Sequence, residues 1–248
     1  PTGVNYLFAV DISNPLNPFI ADGVFLPGGS AIWAYVVVSG RYAYVIAGLS
    51  GPRVVDISDP TNLQLVSTSS VGSGGSMGVI DGNYLYVVSQ TNDDLRIYDI
   101  SGSPLAPVHL SRVCPTDVVG ACGAVPAEHR PAAVAVSGNY AFIVNYLTNK
   151  LVVYNVQNKS SPQFVTSVPT GVNPSFVTVS GNRAYVANAF RGGPGSLTIF
   201  DISALPAAPT PLATIPVGAE LTSVAVSQGF AYLSDRSNEL HVVDVSGY

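Results

Sequence analysis

Short apolar runs rich in Val, Ile, Tyr and Phe alternate along the chain with clusters of Gly, Pro, Asn and Ser. Runs of this length and composition predict β-strands, and the intervening clusters predict turns. No stretch keeps an apolar period of 3.6 residues long enough to predict a stable helix. Two patterns recur. The first is a strand, a Ser-Gly turn and a tyrosine-rich strand: VVVSGRYAYV from Val36, GVIDGNYLYV from Gly78, VAVSGNYAFI from Val134, VTVSGNRAYV from Val177 and VAVSQGFAYL from Val224. The second is an apolar strand ending in Asp-Ile-Ser or a variant of it, at Phe8, Arg53, Arg96, Val152, Thr198 and His241.

The residues that close the second pattern are Asp11, Asp56, Asp99, Asn155, Asp201 and Asp244. They recur about every 43 to 46 residues, with one longer interval between Asp99 and Asn155. Each unit reads as four strands: A before the Ser-Gly turn, B after it, C ending on the Asp, and D after a Pro-rich turn. Units of this length with four strands predict propeller blades. The expected fold is therefore all-β: a β-propeller of about six (five to seven) four-stranded antiparallel blades, one domain over residues 1–248. The longer interval is an insertion at about 112–131. Four units are complete. The N-terminus supplies only C and D strands and the C-terminus only A, B and C, so an unpaired edge could recruit another chain.

The VSG-x-YAYV and VVDIS-x-P patterns resemble the LVIVD-repeat propellers of bacterial and archaeal cell-surface proteins. The segment AYVANAFRGGPGSLTIFDIS is similar to the related YVTN repeats. Asn155 in place of Asp, and Gln228 within the Ser-Gly turn, depart from the pattern. The resemblance implies a surface or extracellular setting and no defined reaction. The repeated Asp reads as scaffold: a strand-end carboxylate can accept amides of the following turn.

Composition narrows the partners. Charged residues are 10% of the chain, lysine is limited to Lys150 and Lys159, and the formal net charge is −5. Nucleic acid, which needs clustered Lys and Arg, is excluded as a partner. No apolar run reaches the length of a membrane span. The chain opens on Pro1, which reads as a processed product or a fragment. Cys114 and Cys122, both in the insertion, read as a disulfide formed in an oxidising compartment. No metal-ligand spacing or cofactor motif is visible, and His109, His129 and His241 fall in different units.

Catalytic motifs fail on context. Gly74-Gly75-Ser76-Met77-Gly78 matches a nucleophile elbow but precedes a strand. The B-to-C and D-to-A loops vary most, and variable loops on a rigid scaffold are where binding residues sit. Trp33, Arg53, Asn145, Tyr146, Asn188, Arg191, Asp235 and Arg236 are the candidate binding residues near that end of the blades. The functional expectation is a non-enzymatic extracellular or cell-surface propeller with a structural or assembly role in a surface layer, matrix or filament. Its partners would be itself, other surface proteins or a glycan. The alternatives are a monomeric carbohydrate- or protein-binding module and, last, a lactonase-type hydrolase.

Overall fold

The computed structural model describes residues 5–27, 34–47, 51–68, 75–103, 105–115, 129–189 and 193–248. Among them are twenty-one strands and no helix. β1 (Tyr6–Asp11) and β2 (Phe19–Phe25) form a two-stranded sheet. Four four-stranded blades follow. They are β3 (Ala34–Ser39) to β6 (Gln64–Thr68) by way of β4 (Tyr42–Ala47) and β5 (Arg53–Asp56), then β7 (Met77–Asp81), β8 (Tyr84–Ser89), β9 (Asp94–Asp99) and β10 (Val108–Val113). The next are β11 (Pro131–Ser137), β12 (Tyr140–Asn145), β13 (Lys150–Asn155) and β14 (Gln163–Pro169), and β15 (Pro174–Ser180), β16 (Arg183–Asn188), β17 (Ser196–Asp201) and β18 (Thr210–Pro216). β19 (Leu221–Ser227), β20 (Phe230–Asp235) and β21 (Leu240–Asp244) close the chain as a three-stranded sheet. Strands pair in sequence order within every sheet, as expected of propeller blades, and the fold is the all-β propeller that the repeats predict.

The A-to-B hairpins turn on two residues, with Ser39 opposite Tyr42, Ser137 opposite Tyr140 and Ser180 opposite Arg183. Gly40, Gly82, Gly138 and Gly181 take positive φ at the first turn position, which is why glycine recurs there. In the last sheet Gln228 occupies that position at φ 51°. The end of every C strand is built alike. The backbone N–H two residues on donates to the side-chain oxygen: Ser13 to Asp11 (2.8 Å), Ser58 to Asp56 (3.0 Å), Ser101 to Asp99 (2.7 Å), Gln157 to Asn155 (2.9 Å), Ser203 to Asp201 (2.9 Å) and Ser246 to Asp244 (2.9 Å). A β-bulge recurs where C meets D, between Val54 and Val55, Val153 and Tyr154, and Ile199 and Phe200. Such a bulge strengthens the local twist of the outer strand.

The chain divides into two compact units, Pro1–Val87 with Ile97–Leu110, and Val88–Arg96 with Ser111–Tyr248, and each is described by itself. In the first unit, Leu7, Ala9 and Val24 of the two-stranded sheet pack on Ala43, Val45, Val55 and Leu63 of the next blade. The opposite face of that blade presents Tyr44, Ile46 and Val54 to Leu85, Val87 and Tyr98. In the second unit, Tyr185, Leu197 and Ile199 meet Leu221, Val224, Ala231 and Leu233. β12 and β13, the middle strands of their blade, bury most of their residues; Leu151, Val152 and Val153 are wholly buried. That burial explains the unbroken apolar runs, in place of the alternation of a sheet with one wet face. The two end sheets keep one apolar face exposed: Tyr6, Phe8 and Val10 on β1, and Leu240 and Val242 on β21. Tyr6 stacks on Phe8 with ring centroids 5.7 Å apart.

Candidate functional site

In the second unit, three positions recur at the B-to-C end of each blade: the last residue of B, the residue across from it at the start of C or just before it, and the one two further along. In successive blades these are Ser89, Asp94 and Arg96; Asn145, Lys150 and Val152; Asn188, Ser196 and Thr198; and Asp235, Glu239 and His241. The pairs Asn145–Lys150 and Asn188–Ser196 are direct cross-strand partners. Neighbours across a pleated pair are close enough for side chains to bond. Asn188 accordingly donates through Nδ2 to the Ser196 carbonyl (3.0 Å), Ser196 Oγ (3.1 Å) and Thr198 Oγ1 (3.0 Å). Gly171 sits over this trio, since a Cβ there would come 2.7 Å from the Asn188 amide.

The most highly charged of these groups surrounds Asp93 and Asp94. The Asp94 side chain is 0% exposed, and its Oδ2 accepts Arg96 Nε (3.0 Å), Arg96 Nη2 (2.8 Å) and Arg112 Nε (2.5 Å). A buried carboxylate is tolerated when guanidinium groups are held against it. Asp93, at φ 54°, turns its side chain onto the segment that opens the next blade. Its Oδ2 meets His129 Nδ1 at 2.8 Å and accepts the His129 backbone N–H at 3.2 Å, while Oδ1 accepts the Arg130 N–H at 2.8 Å. The His129 and Arg130 carbonyls in turn accept the Leu147 and Tyr146 N–H groups, and the Arg130 guanidinium lies 5.9 Å from the centre of the Tyr146 ring.

His129 is thus held from both sides, with its side chain still 19% exposed. A carboxylate against Nδ1 fixes the proton on that nitrogen and makes Nε2 the acceptor. Arg130 follows His129 in the chain, and Arg96 and Arg112 are held on Asp94, the neighbour of Asp93. Such a set can take a proton from water and stabilise an oxyanion. Arg112, 39% exposed, is the most open of the two arginines on Asp94.

The candidate residues read from the sequence are placed unequally. Asn145, Asn188 and Asp235 fall on one register position in three successive blades, all buried. Tyr146 lies beside Asn145 and receives Arg130 on its ring. Arg236 pairs with Glu220 at 3.2 Å. Arg53, in the first unit, is buried and donates through Nε to the Pro27 carbonyl at 2.7 Å; burial lowers the pKa of its guanidinium. Trp33, Arg191 and Cys122 lie outside the described residues. Cys114 follows β10, and its carbonyl accepts the Tyr154 hydroxyl at 2.6 Å. The sequence reading takes Asp93 and Asp94 for a solvated turn and His129 for a surface-loop residue and does not select Arg96 or Arg112, because the long segment between Asp93 and His129 hides their pairing. The available signal was the Asn92-Asp93-Asp94 turn at the same blade end as His129.

The family model of the seven-bladed β-propeller lactonases matches residues 50–225, and that of the LVIVD repeat matches residues 2–23, 29–70 and 220–247. No curated protein matches the chain by sequence. Among solved structures, a Bacteroides uniformis protein provisionally described as a 6-phosphogluconolactonase is 14% identical with a TM-score of 0.73, over 100% of this chain and 76% of that one. The periplasmic gluconolactonase of Pseudomonas aeruginosa is 16% identical with a TM-score of 0.67, over 94% and 71%. A Lactobacillus plantarum protein is 16% identical with a TM-score of 0.72, over 97% and 82%. At these identities the structural likeness establishes the fold.

The lactonase match overturns the expectation of a non-enzymatic propeller with a structural or assembly role, and with it the reading that the chain is no enzyme. The physical reason lies in what repeats and what does not. The repeated residues build the blades, and their uniformity reads as scaffold. The charged cluster combines Asp93 and His129, which lie between strands, with Asp94 and Arg96 of β9 and Arg112 of β10, and their identities do not recur from blade to blade, so no repeat marks it.

Proposed function

The chain belongs to the lactonase family of seven-bladed β-propellers, and we propose that it is a hydrolase that opens the cyclic ester of a sugar-type lactone. The observation that favours this is the Asp93–His129 pair at 2.8 Å, with Arg130 next to His129 in the chain and Arg96 and Arg112 on the adjoining Asp94. His129 Nε2 takes a proton from water as the water oxygen attacks the lactone carbonyl. The carbonyl oxygen becomes an oxyanion, and we assign its stabilisation to Arg112, the more exposed of the two guanidinium groups on Asp94. When the tetrahedral intermediate collapses, the ring C–O bond breaks and the imidazolium returns its proton to the departing oxygen. The product is an open-chain hydroxy acid, and Asp93 holds the imidazole in its working tautomer throughout.

The test is hydrolysis of glucono-δ-lactone followed by pH-stat above the buffer rate. His129→Gln should lower kcat by about 10²- to 10⁴-fold, the usual contribution of a general base. A wild-type rate equal to buffer, or a variant as fast as wild type, would overturn the assignment.

The setting belongs to the same proposal. Among the described residues no helix is long and apolar enough to cross a membrane. The fold likeness to a periplasmic enzyme supports work outside the cytoplasm, as would a bond between Cys114 and Cys122. Alkylation of the denatured protein with and without reduction checks that bond: both cysteines should label only after reduction.

A further inference from the structure

The last blade fills the three recurring positions with residues unlike those of its neighbours. Asn188, Ser196 and Thr198 are linked by neutral hydrogen bonds, and Asp94 pairs with Arg96. Asp235, Glu239 and His241 place two carboxylates against one imidazole. Asp235 Oδ2 lies 2.9 Å from His241 Nε2, Glu239 Oε2 lies 3.7 Å from the same nitrogen, and the three ligand atoms all fall within 4.8 Å of one another.

We propose that Asp235, Glu239 and His241 bind a divalent transition-metal ion, zinc being the best fit. Two carboxylate oxygens and one imidazole nitrogen suit zinc, whereas calcium prefers six or more oxygens. Tetrahedral zinc with bonds of about 2.0–2.1 Å sets its ligands about 3.3 Å apart. The observed 2.9 and 3.7 Å straddle that value, so side-chain adjustment suffices. The ligands are braced in advance. Ser237 N–H (2.8 Å) and Glu239 N–H (3.0 Å) hold Asp235 Oδ1, and Ala219 N–H approaches Oδ2 at 3.3 Å. Such outer bonds fix a metal-binding carboxylate.

A second observation points to the same place. Gly218, at φ +52°, lies against the imidazole so closely that a Cβ would stand 2.3 Å from His241 Nε2. A side chain there would collide with the imidazole and turn it away from Asp235 and Glu239. The Glu239 side chain is 65% exposed, which leaves a solvent ligand free access to the fourth position.

The inference does not depend on the lactonase reading, because its test reads metal rather than turnover. Protein stripped with a chelator and dialysed is titrated with zinc against a chromophoric competitor, and separately with cobalt(II) while its visible absorption is recorded. One ion per chain should bind, with cobalt giving the intense bands of a four-coordinate site. Glu239→Gln and His241→Gln should each weaken binding at least about tenfold, whereas His109→Gln should not. Glu239 is exposed and, among the described residues, its side chain holds no backbone group, so its variant reports on a folded protein. The absence of one-to-one binding, or equal affinity in wild type, Glu239→Gln and His241→Gln, would overturn the site and mark any zinc uptake as adventitious.

Discussion

The smallest recurring device is the Asp or Asn that ends each C strand and captures the amide two residues on. The hydrogen bonds this residue accepts favour its ionised form and lower its pKa. For Asp11, Asp99 and Asp244 the largest cause is the serine hydroxyl two residues on, for Asp201 the Ser203 amide, and for Asp56 the Arg41 guanidinium. A carboxyl lowered on folding adds stability above its unfolded pKa of about 3.9 and loses it as pH falls through the folded value. The thermal midpoint should therefore be nearly flat from about pH 7 to 5 and decline below about pH 4, checked by circular dichroism; a midpoint that rises on acidification would contradict the scheme. Asp99→Asn should keep the turn, as Asn155 does, and Asp99→Ala should destabilise more. Gln228 offers the converse case. A left-handed backbone costs a non-glycine residue about 1–2 kcal/mol, partly offset in glycine by a freer unfolded chain. Gln228→Gly should raise stability by about 0.5 kcal/mol in urea unfolding. Both features were legible from residue identity, because a turn is a local arrangement.

At the scale of strands and loops, the repeats located the elements well, and the four complete blades follow the expected order. The three register positions were harder to see. Their spacing depends on the B-to-C loop, whose length differs from blade to blade, so Ser89–Arg96, Asn188–Thr198 and Asp235–His241 do not align by counting. Only cross-strand pairing reveals them as equivalents. Close contact between the last two sheets depends on glycine as well. A Cβ on Gly195 would stand 2.2 Å from the Ala219 carbonyl oxygen and 2.8 Å from Leu221. Gly195→Ala should cost about 1–3 kcal/mol, read from the urea midpoint, since backbone must move to admit it.

For the molecule as a whole, stability should follow burial between blades. Leu151 is wholly buried, and Leu151→Ala should cost about 2–5 kcal/mol. Leu16 is 94% exposed, and Leu16→Ser should stay within about 0.5 kcal/mol. Equilibrium unfolding of both variants checks the contrast. The described residues form six sheets, whereas the matching family model is seven-bladed. The apolar outer faces of β1 and β21 were invisible in the sequence, because their residues copy those of interior blades. Function was the least legible level: composition and repeats describe the frame, and the charged cluster at Asp93 and His129 is brought together only by folding.

The three-position group at each blade end behaves as an interchangeable socket. Its occupants range from a salt bridge to a neutral amide network to an acid–imidazole set, while the apolar residues beneath them hardly change. Lineages could thus rewrite the chemistry of one blade by three substitutions and leave the frame untouched. A designer could do the same by writing Asp, Glu and His into the places of Asn188, Ser196 and Thr198, under the glycine already present at 171.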